Sequence, residues 1–423
     1  MKRILFGSTA LVTAGVLASS VAQAEEGIKL GLGGYMNNFF VAGDVNGTAG
    51  SDFNETGFYS DGEVWFTGET TLDNGLTFGA NIQLEGFASG DQIDENYGYM
   101  EGGFGRLVFG SENTAAYLMH YAAPSVGAPV NSGWVTSFVP AAAGSVQAFR
   151  SPAVSTYLDT GNDENTLTYF TPRLYGFQLG VSYQAAVNFS GDGKNYPVEA
   201  DEDTEYHDGL SVGLNFVESF GGFDVALSGG YRYATAPDNA FTVIFPNNTA
   251  TTNGPAVKVR TYQPKDMQQV SGGINLGYAG FTIGGSVAAE LDGRMTSSTS
   301  AFNSTVNGFP GAALPSPYPA NTFLTAVNSY TSDVTSTEGW SWDVGASYGT
   351  GPWSFGITYF QGEVEGSLLD GDNDEMQAVN GGIEYAVGPG ISASAGAMYA
   401  NWDDESGASN DGVVGYAGLH FGF

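Results

Sequence analysis

Between residues 177 and 183 the chain reads FQLGVSY. Phe177, Leu179, Val181 and Tyr183 take alternate positions, with Gln178, Gly180 and Ser182 between them. Period-two alternation gives a strand two unlike faces. The same pattern predicts strands at 28–41, 62–72, 76–85, 96–104, 106–112, 166–171, 177–183 and 209–217. It continues at 223–234, 268–278, 281–291, 340–348, 353–362, 377–387, 391–401 and 413–423. These are about sixteen, an even number. Further oily faces carry Phe281, Ile283, Val287 and Leu291, or Trp353, Phe355, Ile357 and Tyr359. The opposite faces carry Gln178, Ser182, Gln184, Asn215, Asp224, Arg232, Asn275, Glu290, Asp343 and Glu384.

The connections alternate in length. Short ones, at 73–75, 104–105, 173–176, 219–222, 279–280, 349–352 and 387–390, are rich in Gly, Pro, Asn and Asp. Those residues supply the backbone angles of tight turns. Long ones, at 44–61, 87–95, 113–165, 187–208, 235–267, 292–339, 363–376 and 402–412, are polar. A secreted β-sandwich array or adhesin has no reason to alternate its loops in this way. A barrel standing in a membrane does, with short turns on the periplasmic side and long loops outside. Aromatic residues at the strand ends suit the lipid headgroup layer. Backbone groups in lipid need internal partners, so such a sheet must close, the last strand on the first. The predicted architecture is an all-β, transmembrane, antiparallel up-and-down barrel of about sixteen strands.

Composition fits this reading. There are 63 glycines, 13% aromatic residues and only 13% charged residues, where soluble domains carry about 25% charged. A mean hydropathy of −0.09 argues against a bundle of membrane helices. No cysteine is present, so disulfides and thiolate metal sites are excluded. Lys2 and Arg3, the apolar run after them and Ala22-Gln23-Ala24 predict a secretory signal peptide at 1–24 and a barrel domain at 25–423. With 12 Lys and Arg against 45 Asp and Glu, the net charge is −33. Nucleic acid needs basic surface and is excluded as a partner; cations are favoured.

The ending YAGLHFGF, with its aromatic last residue Phe423, is similar to the assembly signal of outer-membrane proteins. FGRLVFGSENTAAYLMHYAAPSVG at 104–127 resembles a porin's fifth strand and the start of its third loop. LTYFTPRLYGFQLGVSYQ at 167–184 resembles its sixth and seventh strands. The chain thus resembles the general porins of Gram-negative outer membranes, particularly the alphaproteobacterial type. That resemblance implies a homotrimer of sixteen-stranded barrels in outer-membrane lipid and lipopolysaccharide, with the third loop folded into each pore. It also implies a water-filled channel for passive diffusion of small hydrophilic solutes and ions, with no cofactor.

A sixteen-stranded barrel has a backbone diameter of roughly 30 Å, too wide for side chains to fill. Loop 113–165 contains the apolar run GWVTSFVPAAAG at 133–144, suited to packing against the inner wall. General porins set loop acids against a basic wall. Here Asp159, Asp163 and Glu164 are the candidate loop acids, and Arg150 lies on the same loop. The early wall departs from the family. It presents Glu63, Glu69 and Glu85 inward, and its inward bases are few: Lys29, Arg106 and Arg232. The constriction candidates are therefore Asp159, Asp163, Glu164, Arg150, Glu69, Glu85, Arg106 and Arg232, and a preference for cations is expected.

DGDNDE at 370–375 begins like a calcium loop, with Asp370, Asp372 and Asp374 as weak candidates, but position six lacks Gly and position twelve is Gly381. His120, His207 and His420 form no compact Ser/His/Asp grouping in the sequence, and no enzymatic activity is expected. A solute-selective porin remains open, with Tyr35, Phe39, Trp65 and Phe360 as a scattered aromatic track. So does a non-conducting structural or adhesive barrel.

Overall fold

The computed structural model describes residues 27–46, 54–87, 92–141, 152–158, 163–187, 202–251, 254–301, 329–368, 373–404 and 407–423. The proposed signal peptide lies outside the described residues. Sixteen strands build one wall: β1 Lys29–Val45, β2 Thr56–Thr71, β3 Thr77–Glu85, β4 Ile93–Gly102, β5 Gly105–Ser111, β6 Asn165–Phe170, β7 Phe177–Ala186 and β8 His207–Phe220. It continues with β9 Phe223–Thr235, β12 Met267–Tyr278, β13 Phe281–Asp292, β15 Ser329–Thr350, β16 Trp353–Ser367, β17 Asp374–Gly388, β18 Ile391–Asp403 and β19 Ser409–Gly422. Neighbours pair antiparallel in chain order, and β19 pairs with β1 from Tyr35↔Gly422 to Val45↔Gly412. The sheet is a closed barrel.

All sixteen expected strands are present. Three further strands fall inside expected loops. β10 Phe241–Thr251 and β11 Gly254–Tyr262 form a separate hairpin between β9 and β12. β14 Met295–Ala301 extends the β13 edge along β15. Several wall strands also run further into the loop end than the alternation showed, β15 most of all. There the pairing continues after the apolar face has ended, because backbone ladders need no oily side chains above the membrane.

The two faces separate cleanly. Leu30 is 87% exposed and Phe58 86%, and Phe177, Phe281, Ile283 and Ile357 also stand outside. Ser182, Gln184, Asn215, Asn275, Ser286 and Asp343 are buried on the inner side. Cross-strand aromatic pairs flank the short turns: Phe223 with Tyr278 at 4.3 Å, Phe281 with Tyr348 at 4.2 Å and Trp353 with Tyr385 at 4.6 Å between ring centroids. They form part of a headgroup belt at one rim. At the Ala279-Gly280 turn both residues have positive φ, 52° and 89°. That is the primed geometry that follows the natural twist of a two-residue hairpin.

The closing seam includes the last residue. Gly34 N–H donates to the Phe423 carbonyl at 3.0 Å, and Phe423 N–H donates to the Gly34 carbonyl at 3.1 Å. The Phe423 ring lies over Gly34, where a Cβ would come within 3.0 Å of it. Deleting Phe423 removes this final pair and one rim aromatic. Assembly of heat-resistant protein in the outer membrane is expected to fall several-fold, read on unboiled gels. Undiminished yield would show that the seam closes without it.

Candidate functional site

The segment after β5 turns into the barrel. Among the described residues of 112–164 are two short helices, α1 Ala115–Leu118 and α2 Val135–Phe138. The first half follows the wall strand by strand, its backbone tied to inward side chains. Ala115 N–H donates to Ser182 Oγ at 2.8 Å, Ala116 N–H to Ser211 Oγ at 3.0 Å and Tyr121 N–H to Ser228 Oγ at 2.9 Å. Asn275 Nδ2 then donates to Ala122 O at 3.0 Å, Thr358 Oγ1 to Pro124 O at 2.6 Å and Asn380 Nδ2 to Val126 O at 2.9 Å. Such close contact requires bare wall. A Cβ on Gly345 would lie 2.6 Å from Pro124 O, and one on Gly273 would run into Tyr121 O.

The middle of the segment supplies the apolar anchor. Val130, Val135, Phe138, Val139 and Val154 pack with Phe39, Phe360, Met376, Met398, Trp402 and Tyr416 of the wall. Phe138 meets Phe39 edge-on at 5.4 Å, and Trp402 Nε1 donates to Val139 O at 3.0 Å. Each large side chain buried this way contributes about 1.5–3 kcal/mol. The run at 133–144 therefore packs against the wall as its composition predicts, as far as it is described. Asp343 of β15 ties the segment a second time. Its carboxylate accepts from Ser286 N–H at 2.6 Å, Ser286 Oγ at 2.7 Å, Ala123 N–H at 3.1 Å and Asn131 Nδ2 at 2.5 Å. His120, beneath Tyr157 and 3.2 Å from Thr156 Oγ1, is held near pKa 4 by burial and is neutral at pH 7.

The inserted segment lies mainly against β7–β19 and the upper part of β1, and its Trp134 and Phe138 also meet Tyr59 of β2. Much of the inner face of β2–β5 stays wet; Glu95 of β4, 7% exposed and bonded by Asn113 of the segment, does not. Tyr35 OH donates to Glu63 Oε1 at 3.0 Å and Trp65 Nε1 to Glu63 Oε2 at 2.7 Å. Nearer the short turns, Tyr99 OH donates to Glu69 Oε2 at 2.5 Å, and the Arg106 guanidinium lies 4.1 Å above the Tyr99 ring. The inserted segment also carries Tyr117 and Tyr157, with ring centroids 5.0 Å apart.

The expected site residues divide. Glu69, Glu85 and Arg106 line this wet wall, and Arg106 also reaches Glu101 at 3.9 Å. Asp163 stands half-buried where the segment rejoins β6, with φ 61°. Glu164 is 1% exposed and Arg232 0%. Arg232 Nη2 donates to Gln184 at 2.5 Å, behind the inserted segment. Neither charge meets the open lumen, since that part of the wall is covered. Arg150 and Asp159 lie outside the described residues, as do Asp370 and Asp372 of the suggested calcium loop; Asp374 is 4% exposed at the start of β17. Of the aromatic track, Tyr35 and Trp65 stand together at 6.0 Å, while Phe39 and Phe360 are buried under the loop.

His420 has closer partners than the sequence suggested: Ser394 Oγ at 2.7 Å from Nε2 and Asn37 Oδ1 at 2.9 Å from Nδ1. The order is nucleophile, base and orienting amide. The strands that carry them are engaged in ladders, however, and among the described residues no backbone N–H pair is shown turned toward Ser394 to hold an oxyanion.

A closed barrel that is oily outside and polar inside, with a loop packed into its lumen, is an outer-membrane channel. The sequence model of the Gram-negative porins matches residues 7–405, and the chain belongs to that family. Its place is the outer membrane. The fold is similar to an anion-selective porin from Comamonas acidovorans (TM-score 0.53, 14% identity, 94% of this chain and 100% of that one). It is similar as well to the trimer form of OmpT from Vibrio cholerae (0.52, 12%, 94% and 100%). A third match is the channel DcaP of Acinetobacter baumannii (0.54, 11%, 95% and 99%). No curated protein sequence matches the chain.

If the inserted segment narrows the pore, loosening it should widen the path. Asp343→Ala strands buried donors, each costing about 1–3 kcal/mol, and Phe138→Ala opens a cavity worth about 3–5 kcal/mol. Both variants are expected to give larger, noisier single-channel currents in barrels that still resist heat. Wild-type conductance from both would show that this segment does not set the pore size.

Proposed function

We propose that the protein is a passive diffusion channel for small hydrophilic solutes and ions, that it prefers cations, and that it works as a homotrimer. The observation that carries the preference is the composition of the wet wall. Asp61, Glu63, Glu69 and Glu85 lie on β2 and β3, against Arg106 on β5. Acids that ring a narrow path lower the barrier for cations and raise it for anions. One structural relative is titled an anion-selective porin, so the shared barrel leaves the sign open and the side chains on this wall decide it.

The trimer reading rests on the outer face of β1 and β2. Leu30 and Phe58 are the most exposed large apolar side chains of these strands, and between them Ser60 Oγ donates to Asn38 Oδ1 at 3.0 Å. A polar pair of this kind is disfavoured against lipid and suits a subunit contact. The OmpT relative, described in a trimer form, supports the same reading. In mild detergent the native mass is expected near three chains, with Phe58→Arg reducing it. A folded particle of one chain's mass would refute the trimer.

Selectivity is tested by the reversal potential in a potassium chloride gradient. A cation-selective sign is expected, weakening at high salt as screening shortens to about 3 Å at 1 M. Glu69→Gln with Glu85→Gln should reduce it more than Asp370→Asn with Asp372→Asn in the external loop. Anion selectivity in the unaltered protein would place control with Arg106 or Arg150.

A further inference from the structure

Two inward units of the early wall are built from the same parts. In the unit nearer the short turns, Tyr99 of β4 lies across Gly79 of β3, where a Cβ would run into its ring. Its hydroxyl donates to Glu69 Oε2 of β2 at 2.5 Å. In the unit above it, Trp65 of β2 lies beside Gly33 of β1, where a Cβ would stand 3.3 Å from ring carbon Cε3. The indole N–H donates to Glu63 Oε2 at 2.7 Å. Tyr35 of β1, the direct cross-strand partner of Glu63, donates to Oε1 at 3.0 Å, and its ring centroid stands 6.0 Å from that of Trp65. In both units a bare glycine lets an aromatic ring lie along the wall with its polar tip on a carboxylate.

The lower unit already holds a cation. The Arg106 guanidinium stands 4.1 Å from the centroid of the Tyr99 ring. A planar, weakly hydrated cation is the kind that stacks on an aromatic face. The chain thus shows, with its own side chain, which chemistry the arrangement accepts. The upper unit has the same parts without that occupant: among the described residues no Lys or Arg stands over Trp65 or Tyr35. Trp65, Tyr35 and Glu63 are each half-buried on the inner face, so part of each is open to the lumen. An indole is a better platform for a cation than a phenol. A carboxylate offers about four lone-pair sites, and Tyr35 and Trp65 each take one at Glu63, which leaves acceptor capacity for a donor arriving from the lumen.

We infer that Trp65, Tyr35 and Glu63 form a subsite for the guanidinium group of a permeating solute. The solute's guanidinium stacks on the indole, as Arg106 stacks on Tyr99, and donates N–H to the Glu63 carboxylate. Tyr35 and Trp65 hold that carboxylate by both oxygens, so the acceptor is in place before the solute arrives. An alkylammonium of the same charge is a compact, strongly hydrated point charge that cannot stack in this way, and it binds less well. Exposure to the lumen keeps the binding weak, as conduction requires, since a solute must leave as readily as it enters. This inference rests on the cation-channel reading above and names a solute class for it.

Saturation-transfer NMR on the folded protein in deuterated detergent reads weak binding without any current. The probes are ethylguanidinium and ethylammonium chlorides at equal concentration. Transfer to the ethyl protons is expected for ethylguanidinium and several-fold less for ethylammonium. Trp65→Leu and Glu63→Gln should each weaken ethylguanidinium binding roughly 3- to 10-fold, and Trp65→Phe less than Trp65→Leu, because a phenyl ring keeps part of the attraction. Heat-resistant migration confirms the fold of each variant; if Trp65→Leu does not fold, Trp65→Phe and Glu63→Gln carry the test. In bilayers at fixed ionic strength, ethylguanidinium should reduce potassium current through the wild type and less through Trp65→Phe. Equal transfer to both probes, or an affinity unmoved by the Trp65 and Glu63 variants, would overturn the subsite. A loss seen only with Tyr99→Leu would place the probe on the lower unit and overturn it as well. The NMR needs no conduction: binding that depends on Trp65 in an anion-selective pore would sink the cation-channel reading alone, and cation-selective current without such binding would sink the subsite alone.

Discussion

In the hydrocarbon of a membrane a backbone N–H or C=O has no water to bond, and each one left unpaired costs several kcal/mol. That constraint shapes the whole molecule. A sheet satisfies it only by having no edge, so β1 must find β19, and the ladder runs to Phe423 at the rim. Closure in turn fixes what the side chains do. One face of each strand meets lipid and the other meets a lumen roughly 30 Å across between backbones. Side chains cannot fill that width, so part of the chain itself must enter.

The entering segment solves its own backbone problem locally. Residues 115–126 have no ladder, and the wall supplies Ser, Asn and Thr side chains at the heights where their N–H and C=O groups fall. The result divides the inner surface in two. From β7 round to β19 the wall is dry and committed to holding the segment, and its ionisable groups, Asp343 above all, act as anchors. On β2–β5 the segment covers less, and Glu63, Glu69 and Glu85 are left partly exposed on the inner side. An inward charge thus has one of two meanings, set by whether the segment covers it.

That division explains what the sequence revealed and what it concealed. Alternation and turn chemistry depend on neighbours one to four residues apart, and all sixteen wall strands were legible from them. So was the burial of Val135 and Phe138, because an apolar run in a polar loop must find a surface. Arg232 and Glu69 were indistinguishable, since both sit on an inward phase. Only contacts between residues more than 50 apart, such as Ala116 with Ser211, show that one is covered and the other is not. The bulge in β4, where Asp94 and Glu95 together oppose Gln83 of β3, was hidden for the opposite reason: one residue's slip in a ten-residue strand leaves no trace in a hydropathy pattern. The β10–β11 hairpin carries ordinary alternation and was passed over because its length fits a loop.

The placement of acids bears on how such a pore treats ions. The chain's 45 acids give a large negative total, but salt at about 0.1 M screens exposed charge beyond ~10 Å. Under the proposed cation preference, acids of the long loops would therefore act at the entrance without reaching the narrow zone. Glu63, Glu69 and Glu85 act at closer range, beside a low-dielectric wall that focuses their field. Glu63 also accepts hydrogen bonds from two aromatic donors, Tyr35 and Trp65. The same donors hold it in place directly opposite Glu85. Two carboxylates held at one height set the field at that point of the wall, so their placement, more than the chain's total charge, governs how the wall acts on ions.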